Sequence, residues 1–408
     1  MISFQLTDEQ REFRDAVRDF VAHEVKPAAN HPDRLQAGPA PLAPSILEKA
    51  SRMGLRAMML SEARGGAGAD HLTACIVGEE LAAGDIGLAA TLARTAELGH
   101  ALFDIAMSDA QRQQFLPAFL ADDACHLAYA GSDGDVDDGG WNYHSHETAT
   151  IEVPVSVTRH ADELVLNGRY DFVANAPLAK LIAVRVCDGG NQAVVVLVPA
   201  GTPGMTVREV KRVDTDASGA QVFRAFHGVA GSVSFNDCTV PAAHVLQGCT
   251  ALSGEAAAHG RGSPLTQALN LGVGRAAFEA AVEYARLRVQ GGRLIIQHQA
   301  IGGILAEVAI RLETARNLVW KAAWAADNPQ EHAADSTLPL QTMAKAYVSQ
   351  AMEEATLLAA ECFGAMGVMK DMTPPHYVND ARWFVHSDVN NATAKLRVAE
   401  TIAGFQRA

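Results

Sequence analysis

The feature that most constrains the fold is a change in hydrophobic period along the chain. Apolar residues recur at helical spacing in the first third, give way to short β-branched runs in the middle, and return to helical spacing afterwards. The 408 residues exceed the length over which one hydrophobic core keeps growing. We therefore predict three domains: a helical domain over 1–123, a β domain over 124–246 and a helical bundle over 247–408.

The N-terminal third carries signals for helix starts and amphipathic helices. Thr7 and Gln10 have the spacing of a capping box, in which each side chain bonds the other residue's backbone N–H. Apolar residues then recur at helical spacing as far as Pro27, where we expect the helix to end: Phe13, Val17, Phe20, Val21 and Val25. Further helical stretches continue to Leu120, which predicts an all-α domain.

The middle third has the texture of a β domain. Short β-branched runs occur at 152–157, 163–166, 181–186 and 193–198. Turn residues, such as Asn167-Gly168, separate them. Because no helical pattern lies between these runs, they predict a small antiparallel sheet or barrel rather than a parallel nucleotide-binding sheet.

The last third returns to long helices, which we predict at 264–289, 298–326 and 340–363, with a short one at 390–404. The second of these carries a single apolar stripe, as a helix in a bundle requires: Leu305, Val308, Leu312, Ala315 and Val319. The predicted fold class is α+β and multidomain, with an N-terminal α-helical domain, a middle β-barrel or sheet domain and a C-terminal four-helix bundle.

Charge and composition exclude several classes of function. The 33 basic and 47 acidic residues give a net charge of −14, which repels phosphate backbones and argues against nucleic acid as a main partner. The sequence starts without a basic segment followed by an apolar run, and no stretch approaches 18 apolar residues. We expect neither a signal peptide nor a membrane span, and a cytoplasmic location.

Two short motifs are better explained by structure than by chemistry. Gly272-Val-Gly274 lies inside a helical pattern instead of following a strand, so we interpret it as close helix packing and not as a dinucleotide fingerprint. His144, His146 and Glu147 lack further ligands at a supporting spacing, so we predict no metal site. The chain has no Gly-x-Ser-x-Gly elbow, which leaves a hydrolase without support.

A series of motifs, in order along the chain, is more specific than any one of them. Its members are Leu6 to Phe13, Leu60-Ser-Glu62 with Gly65-Gly66-Ala-Gly68, Gly78 to Ala82, Leu164 to Gly168, Phe235 to Pro241, Arg288 to Ile295 with His298-Gln299, Phe363 to Gly367, and Asp380-Ala-Arg382. In order and spacing this series resembles the acyl-CoA dehydrogenase family, and the resemblance runs from Phe4 almost to the C-terminus.

The resemblance implies a reaction as well as a fold. It implies FAD between the β domain and the C-terminal bundle, an acyl-CoA thioester at the flavin, and a carboxylate that takes the α-proton while the β-hydrogen leaves as hydride to flavin N5. This chemistry needs a desolvated base and donors on the thioester oxygen, while hydride acceptance belongs to the flavin. The family further implies a homotetramer and an electron-transfer flavoprotein as electron acceptor.

Site residues are carried over from the family position by position. Asp388 falls on the position of the catalytic base. The segment with Arg288, Gln290, His298 and Gln299 would meet the FAD of a neighbouring subunit. The remaining cofactor-binding positions are Phe172 and Ala174 beside the flavin ring, and Glu361, Gly364 and Ala365 on the adenine side.

Several of these positions depart from the family pattern. The family has Glu where this chain has Asp388, and aspartate is shorter by about 1.5 Å, where a misplacement of about 1 Å costs roughly a hundredfold in rate. Some relatives that act on alicyclic acyl-CoA use Asp there. Other relatives place the base at the position of Gly262, which carries no carboxylate. Ala174 replaces a threonine that offers a hydroxyl, and Glu361 replaces a glutamine.

These departures leave two alternatives open. The chain could be a non-catalytic subunit in a mixed tetramer with a fuller homologue, as the losses at Ala174, Glu361 and Asn390 suggest. It could also be a flavin-bound acyl-CoA lyase of the desulfinase kind, which needs no α-proton base. Asp388 itself could instead be a solvated or capping residue before the final helix.

Overall fold

The computed structural model describes residues 5–35, 41–131, 153–187, 193–215, 218–246, 263–336, 338–387 and 390–404. The chain forms two compact units that alternate along the sequence. The first contains Met1–Leu42, Asp70–Ala90 and Arg261–Gln406, and the second contains Ala43–Ala69 and Thr91–Gly260. The predicted domain boundaries at 123 and 246 stay a prediction.

The first helix begins as the sequence predicts and ends later. Helix α1 (Asp8–Phe20) starts at a capping box in which Gln10 N donates to Thr7 Oγ1 and Thr7 N to Gln10 Oε1, both at 3.1 Å. A π-helical turn, Val21–Val25, and a short helix α2 (Lys26–Ala29) continue it. The expectation of an end at Pro27 is wrong, because proline is tolerated in the first turn of α2, where its missing N–H has no helical partner.

Helices α4 (His71–Ala82) and α7 (Pro264–Leu287) pack closely in the first unit. A Cβ at Gly272 would lie 2.5 Å from the backbone oxygen of Glu79, and one at Gly78 would lie 2.6 Å from Leu265 Cδ1. Neither position has room for a side chain. The interpretation of Gly272 as a close-packing glycine is therefore confirmed.

The same interface buries a network of charges. Arg275 on α7 reaches both carboxylate oxygens of Glu80, at 2.8 and 2.7 Å, and Arg18 on α1 adds a contact of 2.6 Å. The neighbouring Glu79 accepts two bonds from Arg316, at 2.9 and 3.1 Å. Both carboxylates are less than 10% exposed, so paired guanidinium groups replace their lost water.

The C-terminal helices confirm the predicted bundle and add one helix. The stripe from Leu305 to Val319 is buried, as predicted. A helix that the sequence analysis missed follows Thr373 and begins with a proline, a residue favoured at the first helical position. The helices after α7 are α8 (Gln299–Asp327), α9 (Pro329–Asp335), α10 (Leu340–Glu361), α11 (Pro374–His386) and α12 (Asn391–Ala403).

Helices in the second unit precede and flank its sheet. Ser108 and Gln111 form a second capping box, and a π-helical turn, His100–Ala106, extends helix α5. The glycine-rich turn closes on itself, since Gly68 N donates to Leu60 O at 2.8 Å. The helices of this region are α3 (Pro44–Arg52), α5 (Ile86–Gly99, which begins within the first unit) and α6 (Asp109–Ala121).

A seven-stranded sheet forms the core of the second unit, in the order β1-β4-β2-β3-β9-β6, with β5 paired to β4. The expectation of a wholly antiparallel sheet is wrong, because β1 pairs β4 in parallel, with Leu127 opposite Leu181. The long connection between them, which holds β2 and β3, lets the chain return in the same direction. The strands are β1 (His126–Ala130), β2 (Val155–His160), β3 (Glu163–Ala174), β4 (Ala179–Cys187), β5 (Ala193–Pro199), β6 (Met205–Glu209) and β9 (Ala230–Pro241), with a separate pair β7 (Val213–Thr215) and β8 (Gln221–Phe223).

Strand β3 is longer than the sequence suggests. Asn167-Gly168 was expected to end it in a turn, but the strand runs through both residues to Ala174. The register against β9 shifts between Leu166 and Gly168, and Asn167 Nδ2 donates to Asp237 Oδ1 at 3.1 Å. Gly168 adopts φ 133 there, and a Cβ would lie 2.2 Å from Pro154 O. The glycine thus serves a bulge within the strand.

Candidate functional site

The end of strand β3 presents two of the predicted cofactor-binding residues on one face. Side chains alternate along a strand, and here Phe172 is 49% exposed, Val173 is buried, and Ala174 is half-buried. The ring of Phe226 supports Phe172 from the side, with ring centroids 5.5 Å apart at 75°. The second unit therefore offers an exposed aromatic ring beside a small residue.

Asn175 anchors the turn that follows this strand. It is fully buried and adopts φ 63, a left-handed conformation that asparagine tolerates better than most residues. Its backbone N–H donates to Val229 O at 2.8 Å, and Nδ2 donates to Thr91 O at 3.0 Å and to Thr95 Oγ1 at 3.3 Å. These bonds hold the backbone on which Phe172 and Ala174 stand.

Thr95 also connects Asn175 to a buried histidine. Its Oγ1 lies 3.0 Å from Nδ1 of His126, the first residue of β1. Burial, joined by the positive charge of Arg56, lowers the pKa of His126 to about 4, so the ring is neutral at neutral pH. His126 Nε2 and Asn175 Oδ1 have no hydrogen-bond partner among the described residues. The sequence analysis missed this polar cluster, because His126 sits alone in an apolar strand.

The segment after α7 forms a tight hairpin in the first unit. Strands β10 (Val289–Gln290) and β11 (Arg293–Leu294) pair across Gly291 and Gly292, whose φ angles of 61 and 79 suit a two-residue turn. His298 Nε2 lies 3.0 Å from Gln290 O. The structure thus brings Arg288, Gln290 and His298 together. Both Arg288 and Gln299, the first residue of α8, are exposed.

The predicted adenine-side residues follow the end of α10. Glu361 is its last residue and is exposed, and Gly364 with Ala365 opens a 3-10 turn, Gly364–Val368. Phe363 stacks on Tyr284 of α7, with ring centroids 4.4 Å apart. Since Tyr284 lies one turn before Arg288, the hairpin and the 3-10 turn leave the bundle at the same end.

The junction between α11 and α12 surrounds the predicted base. Asp388 itself, the adjacent Val389 and the alternative position Gly262 lie outside the described residues. Asn390 caps α12, since its Oδ1 accepts from Thr393 N at 3.0 Å. The interpretation of Asp388 as the cap of the final helix is therefore wrong.

The exposed groups of each unit suit parts of a flavin dinucleotide. Phe172 offers an aromatic ring to a flat ring system, and the guanidinium of Arg288 suits a diphosphate. Ala174 provides no side-chain hydroxyl, and Glu361 adds a carboxylate near the end of α10. The described residues therefore fit FAD at the aromatic and cationic positions and differ from the family at these two.

Two further observations concern metals and membranes. In the described ranges, no three His, Cys, Asp or Glu side chains cluster as a metal ion would require, and the segment of His144, His146 and Glu147 lies outside those ranges. None of the helices that the structure describes combines the length and apolar character needed to cross a membrane.

Comparison with protein families and known sequences gives consistent matches. Residues 7–123 match the acyl-CoA dehydrogenase N-terminal domain, and residues 250–401 match the acyl-CoA dehydrogenase C-terminal domain. The chain is 27% identical over 417 residues to a probable acyl-CoA dehydrogenase of Bacillus subtilis (strain 168), covering 98% of this chain and 100% of that protein. It is also 27% identical over 414 residues to benzylmalonyl-CoA dehydrogenase of Aromatoleum aromaticum, with the same coverage.

Solved structures match the fold over nearly the whole chain. Butyryl-CoA dehydrogenase from Megasphaera elsdenii superposes with a TM-score of 0.79 at 22% identity, covering 98% of this chain and 100% of that chain. PigA with FAD and proline gives a TM-score of 0.80 at 19% identity, covering 98% and 99%. At these identities the likeness concerns the fold alone, and it confirms the predicted fold class.

Proposed function

Because the chain belongs to the acyl-CoA dehydrogenase family, we propose that it binds FAD and catalyses the α,β-dehydrogenation of an acyl-CoA thioester. The observation that carries this proposal is the β3 end, where Asn175 is tied by three hydrogen bonds and an exposed Phe172 faces outward. The exposed Arg288 on its hairpin supports the same cofactor. PigA, with the same fold, binds FAD.

In the proposed reaction the carboxylate of Asp388 takes the α-proton of the thioester, and the β-hydrogen leaves with its electron pair as the double bond forms. FAD, when bound, supplies the acceptor for that hydride. The chain's own part is to hold the base close to the α-carbon and away from water. The capping of α12 by Asn390 supports this role, because it leaves Asp388 without the duty of ending the junction.

The test of this function is Asp388→Asn. An amide cannot accept the α-proton, so we expect flavin bleaching by a competent acyl-CoA to slow by roughly a hundredfold or more, while flavin binding stays unchanged. Stopped-flow absorbance under anaerobic conditions measures the rate. Asp371→Asn, at an exposed aspartate, is the matched control and should bleach at the wild-type rate. If Asp388→Asn does the same with every thioester tried, Asp388 is not the base.

The substrate class follows from the length of the proposed base. An aspartate reaches less far than glutamate, so the α-carbon must come closer, which suits a substrate held differently from a straight chain. The family relative from Aromatoleum aromaticum is named for benzylmalonyl-CoA, a ring-bearing thioester. We propose that ring-bearing acyl-CoA reduces the flavin faster than butyryl-CoA or octanoyl-CoA does. Asp388→Glu should shift this preference toward straight chains, and equal rates for both variants would contradict the idea.

A non-catalytic subunit remains the second candidate. Ala174 and the exposed Glu361 are the observations that favour it, because both weaken the expected contacts with FAD. The two candidates separate at the first step of purification. A colourless protein that shows no change in flavin fluorescence on titration with FAD would support the subunit and contradict the dehydrogenase. The partner of the dehydrogenase would be an electron-transfer flavoprotein, which should reoxidise the substrate-reduced protein.

A further inference from the structure

A buried lysine joins three helices at the predicted base. Lys345 on α10 is 1% exposed. Its ammonium donates to Ser349 Oγ at 3.2 Å, to Asn391 Oδ1 at 3.1 Å, and to the backbone oxygen of Phe384. Ser349 belongs to α10 itself, whereas Phe384 lies in the last turn of α11 and Asn391 is the first residue of α12. One side chain therefore reaches both neighbouring helices.

These two contacts stand on either side of the junction between α11 and α12. The junction spans residues 387–390, which include Asp388. Asn391 reinforces the attachment, since its Nδ2 donates to Ala346 O of α10 at 3.3 Å. Ala346 and Ala394 also pack together in a small buried cluster. The distance between the end of α11 and the start of α12 is thus set from α10.

The chemistry of the contacts favours a cation at this position. Carbonyl oxygens in the last turn of a helix lack intrahelical donors and carry the negative end of the helix dipole. The Phe384 oxygen is such a group, and the ammonium satisfies it. A buried ammonium is nevertheless costly, and apolar residues of similar volume often stabilise a protein as well or better. A lysine is the better choice where one geometry must be specified.

We propose that Lys345 is the positioning residue for the catalytic base, which it sets in place by fixing both ends of the α11–α12 junction. This inference rests on the proposed function, in which Asp388 is that base. Lys345 acts through the junction and not on the substrate. Its loss should therefore lower the rate of the chemical step while leaving the binding of FAD and thioester in place.

The first experiment uses Lys345→Met, which keeps the apolar stem and removes the ammonium. We expect amide hydrogen exchange in the peptide covering 385–391 to accelerate by about tenfold or more, with exchange in α7 and α8 unchanged. In the full-length protein loaded with FAD, kcat should fall roughly a hundredfold while KM and the Kd for FAD change by less than about twofold. Lys395→Met, at an exposed lysine of α12, is the matched control and should leave all four quantities unchanged.

A second variant guards against misfolding of the first. Asn391→Leu removes one acceptor and leaves the ammonium with Ser349 and Phe384, so we expect the same pattern at smaller amplitude. Unchanged exchange across 385–391 in both variants would overturn the attachment. Faster exchange with a wild-type kcat would overturn the positioning role. Failure of the proposed function is seen separately, as wild-type bleaching by Asp388→Asn with Lys345 intact.

Discussion

Single residues decide how far the sequence alone reaches into the candidate site. Arg288 and Gln290 were identified from a motif, and the structure places them on one hairpin with His298, because Gly291 and Gly292 permit the tight turn. Lys345 escaped notice, since a lysine between Ala344 and Ala346 gives no signal of its own. Its role arises from Phe384 and Asn391, which lie far away in the sequence and meet it only in the fold.

At the residue scale, Glu80 links stability to pH. Burial acts to raise the pKa of Glu80, but hydrogen bonds from Arg275 and Arg18 outweigh it and lower the pKa to about 2 from the ordinary 4.5. A depressed pKa means that the stabilisation is complete above about pH 4.5 and is lost as the pH falls toward 2.

We therefore expect Glu80→Gln to lower the free energy of unfolding by about 3 kcal/mol at pH 7, because it leaves Arg275 with a neutral partner. The difference from wild type should shrink at pH 3. Urea unfolding at the two pH values measures it. Glu9→Gln, at an exposed carboxylate in the first turn of α1, is the control and should change little. A difference that does not depend on pH would contradict the ionic origin.

At the scale of elements, helix starts were the most predictable feature and strand ends the least. The capping box at Thr7 is a local hydrogen-bond pattern, so four residues of sequence suffice to identify it. Strand β3 continues through Gly168 because its partner β9 pairs with both halves across a bulge, and no local pattern contains that information. Helix α11 was missed although Pro374 gives a start signal, since its short apolar pattern is weak.

Helix α7 carries two buried amides that invite a stability test. Gln267 and Asn270 are both 0% exposed, and neither side chain has a hydrogen-bond partner within the part of the chain that the structure describes. A buried polar group left without a partner costs about 1–3 kcal/mol. We expect Asn270→Leu and Gln267→Met each to raise the free energy of unfolding by about 1 kcal/mol or more, measured from urea unfolding curves.

The matched comparison is Asn391→Leu, which should lower stability, because that amide bonds both Lys345 and Ala346. A fall in stability for Asn270→Leu would show that its amide is satisfied after all, by ordered water or by a bound molecule. Loss of thioester turnover without loss of stability would point to the bound molecule.

At the scale of the whole molecule, the C-terminal bundle leaves large apolar side chains exposed. Ile310 on α8 is 62% exposed, and Tyr347 and Leu357 on α10 are 41% and 47% exposed. Such residues are common at interfaces between subunits. Because the family resemblance implies a homotetramer with closed symmetry, we expect copies of this chain to cover them.

Light scattering after size exclusion should then give about four times the chain mass of 43.2 kDa, with a flavin spectrum in the same peak. Ile310→Glu should reduce the mass, since it places a charge where the neighbouring copy would pack, whereas Ile310→Leu should leave it unchanged. A monomer that still holds FAD would rule out an assembly that completes the cofactor site.

The alternation of the two units along the chain sets an order for their completion during synthesis. The second unit is fully translated by Gly260, whereas the first needs segments from both ends of the sequence. Until the ribosome has released Arg275 and Arg316, the carboxylates of Glu79 and Glu80 have no guanidinium to meet. The nascent N-terminal helices must therefore wait, solvated and unpacked, while more than half of the protein is still to be made. A chain cut short before Arg316 would have to leave those two charges in water, so the earliest helices fold last.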